Sequence, residues 1–456
     1  MLYRFLKFAL GYAVRSFFRE IQLRNEERVP LKGPVIFLPN HRSAFMDPIV
    51  VAAYIKRRVH FLARGESFKK PWVAKILARL NMIPIYRKDF SPDDMHKNEE
   101  IFVHCHTLLE QGGALIIFPE GASQTKPVLL PLKTGAARIA MAAEAKNDFK
   151  LGVQLVPIGI NYTNPHHFQG KLFLNFGKPI QASDFKEDYL KQPFEAVHKL
   201  TDHIESELRR RIVVMDDSRW QDLNEKVEQI VHSDPAGFGI GKNPANVGWF
   251  TARRDIAGAI DYFRKEKNDI LEKLELKIQQ YFSILELLHL TEGTLNPLGK
   301  KQEGKLSPAQ LTLYFIIGLP LFICGFLLQF IPFYFTNVLA KKIVKRTDFI
   351  GSIILVLGLV LFSINAFVLT WLLFYMTDNI WLSLSFIFVL PALGFFTFRY
   401  YIRLRRWLYR FRIRFIENRK ADLMEKLKEE REALVEIFKS AHTDYLEYKI
   451  KRSAQP

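Results

Sequence analysis

Short apolar runs alternate with longer polar segments through residues 30–185. The runs are rich in β-branched and aromatic side chains, as expected for strands with both faces buried. They are VIFLP (35–39), VHFLA (59–63), MIPIY (82–86), ALIIF (114–118), QLVPIGI (154–160) and KLFLNF (171–176). Because the intervening segments are long enough for helices, the strands are predicted to be largely parallel. We therefore expect an α/β domain over 26–185, with a mostly parallel sheet flanked by helices.

The N-terminal segment MLYRFLKFALGYAVRSFFRE interleaves large apolar residues with arginine and lysine. A helix of this composition can bury its apolar face at the lipid interface while its basic residues meet phosphate head groups. The sequence predicts an interfacial amphipathic helix over 1–25. The alternative is an ordinary first helix that packs on the domain that follows.

Three apolar blocks in the C-terminal part of the chain predict a membrane region over 306–400. The blocks at 349–376 and 380–398 contain no charged residue and are long enough to cross a bilayer as transmembrane helices. The first block, 311–335, is interrupted by two prolines. We expect a broken or re-entrant segment there.

The basic residues that flank these blocks bear on the topology. Lys341, Lys342, Lys345 and Arg346 follow the first block, and an arginine-rich stretch begins at Arg399. If the first block does not cross, all of these residues lie on the same side as the α/β domain, which is what the positive-inside rule favours. We therefore expect an integral membrane protein whose α/β domain is on the cytoplasmic face.

Helices are predicted for the remaining regions. Residues 186–305 have the Glu/Lys-rich faces of a helical extension, and residues 401–456 read as a charged cytoplasmic helix. The stretch GFGIGKN at 237–243 invites comparison with a phosphate-binding loop. It lacks that loop's first glycine and its closing serine or threonine, so a turn is the simpler interpretation.

The charge balance indicates an anionic partner. The 456 residues include 65 Lys+Arg against 47 Asp+Glu, a formal net charge of +18. Such an excess suits nucleic acid or an acidic lipid surface. The apolar blocks favour membrane lipids, and no nucleic-acid-binding motif appears, so we expect no nucleic-acid partner. Two cysteines make no disulfide framework, and we expect no metal site.

Two polar motifs directly follow predicted strands. NHRSAFMDP (40–48) comes after VIFLP, and FPEGASQ (118–124) continues from ALIIF. In a parallel α/β sheet, functional groups gather beyond the carboxyl ends of the strands. His41 can take a proton from a hydroxyl near neutral pH, while Asp47 can orient its ring and stabilise the imidazolium. Since no serine or cysteine stands in a nucleophile motif, the pair suits direct transfer to an acceptor hydroxyl.

Groups suited to a polyol phosphate are predicted near this pair. Glu120 suits a polyol hydroxyl, and the turn amides at Gly121 with the Ser123 hydroxyl suit phosphate oxygens. Arg87, in NMIPIYRKD, ends a strand where its guanidinium can bind phosphate through two contacts. Lys133 precedes a predicted helix, where its charge and the helix dipole both favour an anion. Each of these residues alone also has an ordinary turn or surface interpretation.

The order of four motifs resembles the glycerolphosphate and lysophosphatidate acyltransferase family. The motifs are NHRSAFMDP, NMIPIYR, FPEG-x-S and VPIGINY, within residues 30–180. The resemblance implies transfer of a fatty acyl group from acyl-CoA or acyl carrier protein, with His41 as general base and Asp47 as its orienting partner. Arg87, Glu120 and Gly121, with Ser123, would bind the glycerol-phosphate head. Such a reaction needs the thioester as co-substrate and no cofactor.

The first motif departs from the commonest spacing of that family. Five residues, Arg42 to Met46, separate His41 from Asp47, where the family usually has four. This spacing resembles a subset of glycerol-3-phosphate and dihydroxyacetone-phosphate acyltransferases, whereas FPEGAS resembles the lysophosphatidate type. We favour lysophosphatidate slightly as the acceptor, in phospholipid biosynthesis. The other two acceptors, and a catalytically inactive membrane scaffold, stay open as alternatives.

Overall fold

The computed structural model describes residues 2–87, 92–166, 168–215, 218–233, 249–295, 308–344 and 346–453. The chain forms two compact units, Met1–Val214 with Thr336–Val360, and Met215–Phe335 with Leu361–Pro456. The GFGIGKN stretch and parts of the predicted helical extension lie outside the described residues.

The first unit is built on one mostly parallel sheet. Its strands are β1 Glu20–Arg24, β2 Val35–Pro39, β3 His60–Arg64, β4 Met82–Ile85, β5 Ala114–Ile116, β6 Gln154–Tyr162, β7 Lys171–Phe176 and β8 Ile180–Gln181. The order is β1-β7-β6-β2-β5-β3-β4, with β8 on β6. Only the pairings of β6 with β7 and with β8 are antiparallel among the described strands. The predicted fold class is confirmed, and β2 and β5, which precede the two polar motifs, are neighbours.

Helices of the first unit cover both faces of this sheet, and the helices of both units are numbered together. In chain order the helices are α1 Leu2–Phe17, α2 Met46–Tyr54, α3 Pro71–Arg79, α4 Asn98–Glu110, α5 Gly135–Lys146, α6 Lys186–Lys191, α7 Pro193–Arg209, α8 Ser218–Ser233, α9 Trp249–Glu266, α10 Asn268–Leu287, α11 Glu292–Leu295, α12 Pro308–Ile343, α13 Ile350–Thr377, α14 Ile380–Arg419 and α15 Ala421–Ser453. Side chains of β2 alternate between the faces. Ile36 packs with α4, α5 and α7, whereas Phe37 packs with α1, α2 and Leu355 of α13.

The N-terminal segment contains a strand as well as a helix. The predicted helix over 1–25 is wrong beyond Phe17, because β1 pairs in parallel with β7 at the edge of the sheet. One face of α1 is buried in the core through Val14 and Phe17, which agrees with the alternative of a packed first helix. Its other face exposes Phe5 and Phe8. An interfacial position for that exposed face stays a prediction.

The first apolar block lies in one uninterrupted α-helix. Helix α12 runs through Pro320 and Pro332, so the break predicted within 311–335 is absent. A proline removes one backbone hydrogen bond, and apolar helices tolerate this where neighbouring groups compensate. Among the described residues, three helical segments are long and apolar enough to cross a membrane: Ala309–Ile343, Thr347–Thr377 and Ile380–Arg419.

The second unit has a helical core of its own. Helices α8, α9, α10 and α15 pack around buried residues that include Ile230, Ile278 and Leu434. Glu292 is also buried there, and it accepts hydrogen bonds from the Tyr281 hydroxyl and from the Arg431 guanidinium. The described part of the predicted helical extension, 186–305, is therefore mainly helical, but it is divided between the units. Helices α8, α9 and α10 contribute to this core, whereas α7 packs against the sheet of the first unit.

Candidate active site

Asn40 fixes the point where the His41 motif leaves the sheet. Its backbone N–H donates to Ile158 O at 3.3 Å, which continues the β2–β6 ladder. Its side-chain amide then exchanges two hydrogen bonds with the backbone of Ile160, at 3.1 and 2.6 Å. Because Asn40 is buried, these bonds satisfy polar groups that would otherwise be costly. They hold the start of the following turn against the carboxyl end of β2.

His41 and Asp47 meet as the sequence predicts. His41 Nδ1 lies 2.8 Å from Asp47 Oδ2, and Asp47 is fully buried in the first turn of α2. The same Oδ2 atom accepts the backbone N–H of Ser43 at 2.7 Å. This second hydrogen bond folds the turn back on itself, so five intervening residues still bring the two side chains together. With Nδ1 engaged by the carboxylate, Nε2 is the nitrogen left to act as base.

Tyr162 is a part of this site that the sequence does not reveal. Its hydroxyl donates to Asp47 Oδ1 at 2.7 Å from the end of β6. Burial, followed by the negative charge of Asp47, raises the pKa of Tyr162 well above its usual value, so the phenol stays protonated as a donor. The segment LVPIGINY looks apolar enough to form only a pocket wall. The signal in the sequence that could have identified Tyr162 is its hydroxyl at the carboxyl end of a strand.

The His41 ring is held on its flat side as well. It stacks on Phe118 with the ring centroids 4.1 Å apart, and 15% of the histidine side chain is exposed. The backbone of the motif is fastened to the neighbouring turn by the His41 carbonyl, which accepts from the backbone N–H of Gln124 at 3.1 Å. The imidazole is therefore fixed in orientation and still reachable from outside.

Glu120 is turned towards the protein backbone. Its two carboxylate oxygens accept the N–H of His41 at 2.6 Å and the N–H of Leu130 at 2.9 Å. Burial raises the pKa of Glu120 to about 7, although both backbone hydrogen bonds act in the opposite direction. In this geometry Glu120 joins two turns, and its predicted contact with a polyol hydroxyl is untested.

Arg87, Gly121 and Lys133 come together next to the histidine turn. The Arg87 guanidinium donates to the carbonyl of Gly121 through Nη1. Gly121 has a φ of 71°, and a Cβ built there would lie 3.6 Å from both Arg87 Nη1 and Lys133 Cγ. Glycine therefore allows this backbone conformation and leaves room between two cationic side chains. The three residues lie together, as the sequence predicts, and we call this group the Arg87–Lys133 corner. Its binding of an anion stays a prediction.

Ser123 is engaged elsewhere. Its hydroxyl donates to the buried carboxylate of Asp348 at 2.6 Å. Asp348 also pairs with Arg346, at 2.8 Å. The Asp348 carboxylate disfavours binding of the acceptor's phosphate group by the Ser123 hydroxyl, because the two negative charges would repel. The sequence assigns residue 348 to the membrane region, so its presence at this site is visible only in the fold.

The described geometry places a histidine, held by a buried carboxylate, beside two cationic side chains at the carboxyl ends of parallel strands. Residues 20–161 match the acyltransferase family model. The chain therefore carries an acyltransferase domain, and the predicted family resemblance is confirmed. The match begins at β1 and ends one residue before Tyr162.

Several characterised and uncharacterised acyltransferases are similar to this chain. An uncharacterized acyltransferase of Schizosaccharomyces pombe is 22% identical over 281 residues, which is 43% of this chain and 42% of that protein. Glycerol-3-phosphate O-acyltransferase 1 of Saccharomyces cerevisiae is 24% identical over 269 residues, 40% of this chain and 35% of that protein. The 1-acyl-sn-glycerol-3-phosphate acyltransferase of Bacillus subtilis is 25% identical over 217 residues, 45% of this chain and 98% of that enzyme.

A solved structure is also similar. It is the 1-acyl-sn-glycerophosphate (LPA) acyltransferase of Thermotoga maritima, with 21% identity and a TM-score of 0.34, covering 45% of this chain and 77% of that one. The chain thus spans less than half the length of the two fungal relatives, and nearly all of the bacterial enzyme from Bacillus.

Proposed function

We propose that this chain is a membrane-bound O-acyltransferase. It moves a fatty acyl group from a thioester donor, acyl-CoA or acyl carrier protein, to a hydroxyl of a glycerol-phosphate acceptor in phospholipid biosynthesis. The observation that carries the proposal is the 2.8 Å contact between His41 Nδ1 and the buried Asp47, inside a domain of the acyltransferase family. The thioester is a co-substrate, and the reaction uses no cofactor.

The reaction follows from the orientation of His41. Nε2 takes the proton of the acceptor hydroxyl as its oxygen attacks the thioester carbonyl, and Asp47 stabilises the resulting imidazolium. The carbon–sulfur bond breaks, and the imidazolium returns the proton to the leaving thiolate. Oxygen thus replaces sulfur on the acyl carbon, and the histidine ends in its starting state. Tyr162 and Ser43 keep the aspartate in place by two further hydrogen bonds.

Two acceptors are supported by the relatives. The Bacillus relative is a 1-acyl-sn-glycerol-3-phosphate acyltransferase that this chain covers almost completely. Two Saccharomyces relatives are glycerol-3-phosphate O-acyltransferases, one of them 36% identical over 117 residues, which is 15% of that protein. We favour lysophosphatidate, and glycerol 3-phosphate is the second candidate. Both acceptors carry a phosphate and a free hydroxyl, which suits the Arg87–Lys133 corner.

The experiment that tests this function supplies labelled acyl-CoA with each acceptor in parallel. Purified full-length protein in detergent or vesicles is given lysophosphatidate, glycerol 3-phosphate or dihydroxyacetone phosphate, and labelled lipid product is counted. The same panel is repeated with acyl carrier protein as donor. We expect product with one glycerol-phosphate acceptor, formed about 10²–10⁴-fold more slowly by the His41→Ala protein. Absence of product with every donor and acceptor would contradict the proposal and favour an inactive scaffold.

Replacing Arg87 by alanine is expected to weaken acceptor binding. A charge-assisted hydrogen bond to phosphate is worth about 1.5–3 kcal/mol, so the KM for the acceptor should rise about 10-fold or more. The KM for acyl-CoA should change much less. The matched control is Arg79→Ala, since Arg79 is exposed at the end of α3. Equal effects of both substitutions on the acceptor KM would exclude a specific role for Arg87.

We further propose that α13 and α14 form a membrane hairpin and that the acyltransferase domain lies on the cytoplasmic face. Residues 346–352 contact the His41 turn within the first unit, so the end of α12 lies on the domain's side of the membrane. This supports placing Lys341 and Lys342 on the same face of the membrane as the acyltransferase domain. The relatives leave this orientation open.

Thiol labelling tests the hairpin. In a Cys324→Ser background, Asp378→Cys places a thiol in the short connection between α13 and α14. A membrane-impermeant maleimide should label it only from outside intact cells. Lys178→Cys, an exposed position of the α/β domain, should be labelled only after the cells are opened. Labelling of both positions from the same side would overturn the arrangement.

A further inference from the structure

The segment that joins the first two apolar helices contacts the catalytic turn through its backbone. The carbonyl of Asp348 accepts the N–H of Ala44 at 3.1 Å and the hydroxyl of Ser43 at 3.1 Å. Ser43 and Ala44 lie between His41 and Asp47, in the middle of the turn that carries the proposed base. These groups are buried, so the bonds cannot be exchanged freely for bonds to water.

Ser352 supplies a helix cap from another part of the chain. Its Oγ accepts the backbone N–H of Phe45 at 3.1 Å and that of Met46 at 2.8 Å. The first N–H groups of a helix have no partner within the helix, and Phe45, at the N-cap of α2, offers no side-chain acceptor. Ser352 is fully buried in this role. The helix that presents Asp47 therefore begins on a hydroxyl from α13.

Asp348 connects the same segment to the second catalytic turn. Its carboxylate accepts the Ser123 hydroxyl, in the turn that also contains Glu120, and pairs with Arg346. Glu120 in turn accepts the N–H of His41. Both turns of the site are thus tied to one short segment that lies outside the residues matched by the acyltransferase family, 20–161.

The fit between this segment and the domain leaves little room. A Cβ built on Gly351 would collide with the backbone carbonyl oxygen of Pro165. The rings of Phe45 and Phe349 make an edge contact with their centroids 5.2 Å apart. The close approach of α13 to the domain therefore depends on glycine at position 351.

We propose that residues 346–352 are a positioning element for the His41–Asp47 turn, acting through the Ser352 hydroxyl and the Asp348 carbonyl and carboxylate. The second apolar helix is then a working part of the acyltransferase site as well as a membrane anchor. This inference rests on the proposed function, because it is expressed as an effect on the acyl-transfer step. Ser352 touches no reacting atom and acts only by holding the start of α2.

Replacing Ser352 by alanine tests the proposal. A misplacement of about 1 Å at catalytic groups can cost about 10²-fold, so we expect kcat to fall about 10- to 100-fold. The KM values for acyl-CoA and acceptor should stay close to those of the wild type. The matched control is Ser363→Ala, which makes the same change at an exposed position further along α13. It should leave kcat unchanged.

A double-mutant cycle separates positioning from a general loss of structure. If Ser352 acts through His41, Ser352→Ala should have little further effect in a His41→Ala background, because the group being positioned is gone. Equal fold losses in both backgrounds would overturn the proposal. A folded Ser352→Ala protein with wild-type kcat would overturn it as well.

Gly351→Ala provides a second variant that keeps every hydrogen-bonding group. Like Ser352→Ala, it should lower kcat, because the added Cβ moves the start of α13 away from Pro165. If both variants lose kcat without change in KM, the positioning role is supported; if Gly351→Ala keeps full kcat, it is contradicted. A wild-type protein that shows no transfer to any acceptor would instead refute the proposed function itself.

Discussion

Replacement of His41 by alanine is expected to lower kcat by about 10²–10⁴-fold, the usual contribution of a general base. The fold should persist, because 15% of this side chain is exposed and its backbone N–H still reaches Glu120. The buried Asp47 loses one of its partners, but Ser43 and Tyr162 continue to donate to it. The measurement is single-turnover acyl transfer by wild-type and variant protein, with the melting temperature as a check on folding.

The control for this variant is His198→Ala. His198 is exposed on α7, so it matches the chemical change without touching the site. It should transfer acyl groups at the wild-type rate. Near-wild-type turnover by a folded His41→Ala protein would exclude His41 as the base. Equal losses of transfer rate in the two variants would indicate an effect that is not specific to the site, and would not support His41 as the base.

The sheet was accessible from sequence because its central strands are continuous apolar runs. Short runs such as VIFLP and LVPIGI, rich in β-branched residues, are typical of strands whose two faces are both covered by helices. The edge strand β1 was missed, since EIQLR alternates polar and apolar residues directly after an amphipathic helix. It is held by pairing with β7, far along the chain, and no local pattern indicates that partner. Tertiary pairing decided this element, as it often does for short edge strands.

Helix α12 is a case in which the sequence pattern predicted a break that the structure lacks. Pro320 and Pro332 suggested a break, because each proline removes a hydrogen bond and disfavours the turn before it. The helix nevertheless continues through both prolines, and it is 36 residues long. Backbone hydrogen bonds are hard to replace where no water is present, which favours an unbroken helix in such a sequence.

The site was predictable where its residues are close in sequence. His41 and Asp47 lie in one motif, and the pairing is a local property of the turn. Tyr162 donates from 115 residues away, and Asp348 binds Ser123 from 225 residues away. Contacts at these separations are created by the fold alone. The side chains of Ser123 and Glu120 already have protein partners, and their predicted contacts with the acceptor stay predictions.

The Asp47 substitutions are expected to form a graded series. Asp47→Ala removes the acceptor for three donors at once, so His41 loses its orientation and the turn loses its closing bond. We expect kcat to fall about 10²–10⁴-fold, comparable with loss of the base. Asp47→Asn keeps one oxygen. If that oxygen faces His41 and Ser43, the amide NH2 group can donate to the Tyr162 oxygen, because a phenol hydroxyl also accepts.

In that orientation only the negative charge is lost, so Asp47→Asn should keep more activity than Asp47→Ala. Tyr162→Phe should be milder than either, because Asp47 then loses one neutral donor, worth about 0.5–1.5 kcal/mol. The measurement is kcat for all three variants at saturating acyl-CoA and acceptor. We expect Tyr162→Phe to be the most active, Asp47→Asn to be intermediate and Asp47→Ala to be the least active. That order supports a carboxylate that both orients the histidine and stabilises its positive charge.

Two other outcomes would assign the aspartate a different role. If Asp47→Asn is as slow as Asp47→Ala, the amide has turned its NH2 group towards His41 and locked the wrong tautomer, a state in which Nε2 carries the proton and cannot accept another. If all three variants keep wild-type kcat, the aspartate only closes the turn, and the pairing seen at 2.8 Å has no part in the transfer.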